Sequence, residues 1–180
     1  MIDKYISEIN KDIKYFGNEG KKERELYVGK KWADFNNIRN VNIVLRDKPD
    51  LIINGELVEV TELLEDGRKR HDEIKRIKEE TLRTGKIVPY ILNKNGTPKI
   101  TGLQLIKNNI LNWLIKAIEK KQKKYGEECK EWILLIYCNV PFTSRIDWDN
   151  IKIKLRQNNY KFKNIDILME SKNNIMVVRI

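Results

Sequence analysis

Acidic side chains stand inside an apolar, β-branched stretch, Lys48-Pro49-Asp50-Leu51-Ile52-Ile53-Asn54-Gly55-Glu56-Leu57-Val58-Glu59-Val60-Thr61-Glu62. Asp50 opens the run Leu51 to Ile53, and Glu59 sits between Val58 and Val60. A carboxylate among residues that favour a buried strand costs free energy unless something pairs with it. Asn54-Gly55 between two such runs is the strongest short-range signal for a tight hairpin. The hairpin brings Asp50 and Glu59 side by side, and two converging carboxylates suit a hard divalent cation such as magnesium. The plainer alternative is a half-exposed hairpin whose acids are solvated.

Pro49-Asp50 followed, after a turn, by Glu59-Val60-Thr61 resembles the bipartite motif of the PD-(D/E)xK nuclease superfamily, which has the restriction-endonuclease-like fold. The resemblance covers the hairpin and the elements on either side of it. It implies an α/β fold with an αβββαβ core, a mixed central sheet flanked by helices. It also implies an endonuclease that hydrolyses phosphodiester bonds with a metal-activated water, with magnesium or manganese as cofactor and nucleic acid, DNA in the first instance, as partner. Asp50, Glu59 and the carbonyl of Val60 would then be the metal ligands. The departure is Thr61, because the superfamily keeps a Lys there. Either the basic group has moved to another element, or the chain is a catalytically inactive nucleic-acid-binding or protein-interaction module on the same fold.

Two helices flank this motif and supply further candidates. Residues 22–37 carry the stripe Val28, Trp32 and Phe35, and one step back along that face stands Glu25. Members of the superfamily often keep an additional acid on this helix, so Glu25 is the candidate third metal ligand and Glu23 the reserve; a surface ion pair is the ordinary fate of such a Glu. Downstream, a helix over about 68–83 has Ile74, Ile77 and Leu82 as its apolar side. Arg70 and His71 lie one turn before Ile74, on the same face. Either could stand in for the missing Lys, His71 as general base and Arg70 as a clamp on the scissile phosphate. Lys69 and Lys75 on the flanks are candidate nucleic-acid contacts.

The other elements follow from periodicity. Residues 2–16 form an amphipathic helix, 41–45 a short strand, 87–92 an edge strand with Pro89, and 93–98 a turn. Leu103 to Ile118 mark a long helix that dissolves into the run Glu119 to Gly126, read as a solvated end. Trp132 to Cys138 is apolar on both faces, hence a central strand. Residues 147–157 form a helix, and 165–169 and 175–178 two last strands.

With 180 residues the chain is read as a single nuclease-like domain, 1–180. The net charge of +10 favours an acidic partner such as nucleic acid, although a composition rich in Lys, Asn and Ile inflates that charge on any protein. No apolar run is long enough to span a bilayer and the first residues carry no signal-peptide pattern, so a cytoplasmic protein without a membrane partner is expected. Cys129 and Cys138 have no metal-ligand spacing. Walker, Rossmann, serine-elbow and zinc patterns are missing. A homodimer would suit double-strand cutting.

Overall fold

The computed structural model of the chain describes residues 2–65, 68–88, 102–171 and 174–180. They fall into two units, one of residues 2–24 and 68–88, the other of residues 25–65, 102–171 and 174–180.

In the first unit, helix α1 (Ile2–Phe16) packs on helix α3 (Arg70–Thr84). The apolar stripe of α1 reaches the core with Ile9, which meets Ile74 and Ile77 under a rim of Tyr5, Ile6, Ile13 and Phe16. Helix α3 ends where Gly85 takes a positive φ of 64° and its N–H caps the carbonyl of Thr81.

The second unit is built on a six-stranded mixed sheet whose spatial order is the chain order: β1 (Ile43–Leu45), β2 (Leu51–Ile53), β3 (Glu56–Leu63), β4 (Trp132–Cys138), β5 (Asn164–Ser171) and β6 (Asn174–Arg179). Strands β1 to β3 form an antiparallel meander, β3, β4 and β5 run parallel, and β6 returns antiparallel on β5. The expected hairpin is present. Asn54 and Gly55 both have positive φ, 47° and 91°, the pair of values that a two-residue turn of matched twist demands. Strand β2 pairs with β3 only as far as Leu51 opposite Val58, whereas β3 continues to Leu63 against β4. Asp50 and Glu59 therefore stand at the fork where the two strands part.

Strand β4 alternates its side chains between two cores, as an all-apolar central strand must. On one face Leu134 and Ile136 pack with Ile106, Ile110, Leu114 and Ile118 of helix α4 (Leu103–Tyr125) and Leu155 of helix α5 (Trp148–Arg156). On the other, Ile133 and Leu135 pack with Val28, Trp32 and Ala33 of helix α2 (Lys21–Phe35). Helix α2 sits tight on the hairpin: a Cβ added at Gly29 would come within 2.6 Å of Leu51 Cδ1.

Several boundaries differ from the sequence expectation: α2 spans Lys21–Phe35 rather than 22–37, and α3 starts at Arg70 rather than near 68. Strand β1 begins at Ile43 rather than residue 41, and α4 runs through the lysine stretch to Tyr125. Lys, Glu and Gln are good helix formers, so nothing in that run breaks the helix until Gly126, which has a φ of 57°. Of the edge strand expected over 87–92, Ile87 and Val88 belong to no strand and 89–92 lie outside the described residues, as do the turn at 93–98 and residues 172–173.

Candidate functional site

The site begins with the parting of β2 and β3. Beyond Val58 the β2-side edge of β3 has no strand partner among the described residues, and the carboxylate of Asp50 takes the place of one: Val60 N–H donates to Asp50 Oδ2 at 3.0 Å. This fixes Asp50, only 2% exposed, beside the backbone next to Glu59.

Glu59 is completely buried. Leu57, Glu59, Thr61 and Leu63 share the α4 face of β3 by strand alternation, and α4 meets that face with two polar side chains. Tyr125 Oη donates to Glu59 Oε1 at 2.6 Å, and Lys121 Nζ donates to the same oxygen at 2.5 Å and to the Val60 carbonyl at 3.1 Å. The second oxygen, Glu59 Oε2, is buried and has no hydrogen-bond partner among the described residues. Burial of a carboxylate oxygen without a donor carries a desolvation cost that most sites avoid. An ordered water or a cation would satisfy it.

Glu25, 5% exposed on α2, completes the acidic set. Burial first, then the hydrogen bond and charge of Glu59, then the charges of Asp50 and Glu25, push the Tyr125 phenol far above its ordinary value. All three acids are thus close enough to act on one hydroxyl, which stays protonated and keeps donating. Around the Tyr125 ring stand three ammonium groups, Lys124 at 4.6 Å and Lys48 and Lys121 at 5.9 Å from its centroid. Lys124 Nζ donates to the phenol oxygen at 2.7 Å.

The second unit therefore brings together Glu25, Asp50, Glu59 and Val60, with Thr61 half-buried one residue beyond. The other candidates belong to the first unit, where His71 and Arg70 contact α1 and the residue that follows it. His71 Nδ1 lies 3.1 Å from the Ile13 carbonyl, which fixes that nitrogen as the N–H donor, and its ring packs against Gly17. Arg70 lies over the Phe16 ring at 4.6 Å. Lys69 and Lys75 are exposed, and Glu23 falls in the first turn of α2. The cation on Glu59 is Lys121, which sequence reasoning missed. The signal was available, because Leu114, Ile118, Lys121 and Tyr125 recur at helical spacing, and carrying that stripe through the lysine run turns Lys121 inward.

Asp50, Glu59 and the Val60 carbonyl offer oxygens only, the donor type of a hard divalent cation, and such a cation is commonly held by one or two carboxylates with water for the rest. No group of three His, Cys, Asp or Glu side chains gathered as a metal cage occurs among the described residues. None of the described helices is long and apolar enough to cross a membrane.

No curated protein and no solved structure matches the chain significantly. Residues 1–178 match the profile of a family described as "Putative endonuclease, protein of unknown function (DUF1780)", and the chain belongs to that family.

Proposed function

We propose that the chain is a divalent-metal-dependent endonuclease of the restriction-endonuclease-like type, acting on DNA, whose displaced motif lysine is Lys121. The observation that carries this reading is the meeting of Lys121 Nζ with Glu59 Oε1 at 2.5 Å, beside the unpartnered Glu59 Oε2. The sequence lacks a Lys two residues after Glu59, and on this reading Lys121 of α4, which meets Glu59, takes that part. The succession α2, β1, β2, β3, α4, β4 agrees with an αβββαβ core.

Asp50 and Glu59 would hold magnesium or manganese with the Val60 carbonyl, and Glu25, whose charge is felt at the same Tyr125 hydroxyl, is the candidate to join through water. Such an ion supplies Lewis-acid polarisation of the phosphate and a bound water of lowered pKa. The chain's own residues do the rest. The Val60 N–H holds Asp50 in place, and the Tyr125 hydroxyl orients Glu59. Lys121 contributes a positive charge already desolvated beside the acid, positioned to offset the charge that builds on the pentacovalent phosphate. Its side chain is 19% exposed, so water screens it poorly.

One observation favours a second reading. Lys121 donates to two of the oxygens assigned to the metal, Glu59 Oε1 and the Val60 carbonyl, and so also serves as an internal counter-ion that would suit an inactive binding module. The two readings separate in a cleavage assay on supercoiled plasmid and single-stranded DNA with magnesium, manganese or EDTA. A nuclease cuts only with metal, loses that activity in Glu59→Gln, and falls by about 10²-fold or more in Lys121→Met, the scale of removing one charge-stabilising donor. DNA bound without cutting under every condition assigns the inactive module.

A further inference from the structure

A second basic feature of the same unit lies in the groove between the first half of α4 and the start of α5, with a volume of about 320 Å³. Leu111, Ile146 and Ile151 contribute apolar lining, and donors converge from both helices: Lys107, Asn108 and Asn112 from α4, Arg145 from the turn before α5, and Asn150 and Lys154 from α5.

The charges in this groove are unbalanced. Lys107, Arg145 and Lys154 form no ion pair with any described carboxylate, unlike Lys48, Lys161 and Lys163, which pair with Glu128, Glu127 and Glu56. The acid lining the groove is Asp147, and its Oδ1 already accepts the Asn150 N–H as the cap of α5. Asn108 Oδ1 accepts from Gln104 at 2.9 Å, a bond that does not use its amide N–H₂. Three cations and an array of amide donors around one concavity make a site for an anion with several oxygens.

We propose that this groove binds phosphates of the nucleic-acid backbone at a distance from the cut. Lys107 and Lys121 are about 20 Å apart along α4 at the helical rise of 1.5 Å per residue. At about 3.4 Å per base pair that spacing corresponds to roughly six base pairs of duplex, so a strand lying along α4 reaches both places. The partner follows from charge complementarity on a chain of net charge +10. The inference rests on the nuclease reading only in taking nucleic acid as the partner.

The test measures DNA affinity, not turnover. Binding of a labelled 30-mer duplex is followed in EDTA at several salt concentrations for wild type, for Lys107→Gln/Arg145→Gln/Lys154→Gln, and for a control of equal charge, Lys4→Gln/Lys11→Gln/Lys86→Gln. All six positions are exposed, so both variants keep the fold. Each phosphate contact contributes about 0.9 to the slope of log K against log salt. The groove variant is expected to lose roughly two to three from that slope and more than tenfold in affinity, and the control less than one. Equal losses in the two triple variants, an unchanged slope in the groove variant, or no binding by wild type would overturn the proposal. Plasmid cleavage with magnesium, measured alongside, keeps the readings apart: cleavage with an unchanged slope sinks the groove and spares the nuclease, and a reduced slope without cleavage does the reverse.

Discussion

Tyr125 is the side chain on which the chemistry of the site converges. It is 8% exposed, donates to Glu59, accepts from Lys124 and senses the charge of three acids. Its raised pKa has a consequence for stability. The unfolded phenol loses its proton near pH 10, while the folded one keeps it, so in this region the unfolded state binds fewer protons. Stability is therefore unaffected by this group below pH 10 and falls as pH rises above it. Tyr125→Phe removes that linkage. Urea midpoints measured from pH 7 to 11 should show a shallower alkaline decline in the variant than in wild type, together with a loss at neutral pH of about 1 kcal/mol for the missing hydrogen bond. Equal alkaline slopes would show that the phenol titrates as an ordinary tyrosine. The inward placement of neighbouring residues was unequally visible in sequence. Glu59 announced itself by standing between two valines, and Glu25 by its step from Val28. Lys121 did not, because four lysines crowd residues 120–124 and only the register of α4 tells them apart.

Helix α2 holds Glu25 near the hairpin, and two devices seat it. Gly29 lets the helix approach Leu51, and at the far end Trp32 Nε1 donates to Asp166 Oδ2 at 2.7 Å. Asp166 on β5 is fully buried and also receives Arg179 Nε and Nη2, both at 2.8 Å, so that one carboxylate joins α2, β5 and β6. Asp166→Ala strands a buried indole N–H and unpairs a half-exposed guanidinium, and should cost roughly 2–4 kcal/mol in urea denaturation. Asp166→Asn keeps an acceptor for Trp32 and should cost less. A loss below 1 kcal/mol in the alanine variant would mean that apolar packing alone seats α2. Elements of this kind were legible where a period was strong. The stripe of α1, the Asn54-Gly55 turn and the two-faced strand β4 all follow from spacing. The pairing of Trp32 with Asp166 is a contact across 134 positions, and no local pattern encodes it.

On the nuclease reading, the excess of ten positive charges across the chain acts on how nucleic acid is reached rather than on how it is cut. Exposed cations bind phosphates equally in the ground state and the transition state, so they lower KM without changing kcat. The buried pair of Lys121 and Glu59 is shielded from salt, because screening acts on solvent-exposed charges and weakly on buried ones. On the nuclease reading, salt and metal therefore act on separate terms. Raising potassium chloride from 50 to 200 mM at fixed magnesium should weaken substrate binding by about two orders of magnitude if some four phosphates are contacted, and appear as a rise in KM with kcat nearly constant. EDTA should abolish kcat while DNA binding at low salt persists. A kcat that falls with salt in parallel with affinity would place the screened charges inside the chemical step, and would move the catalytic cation from Lys121 to an exposed residue such as Lys124 or Lys48.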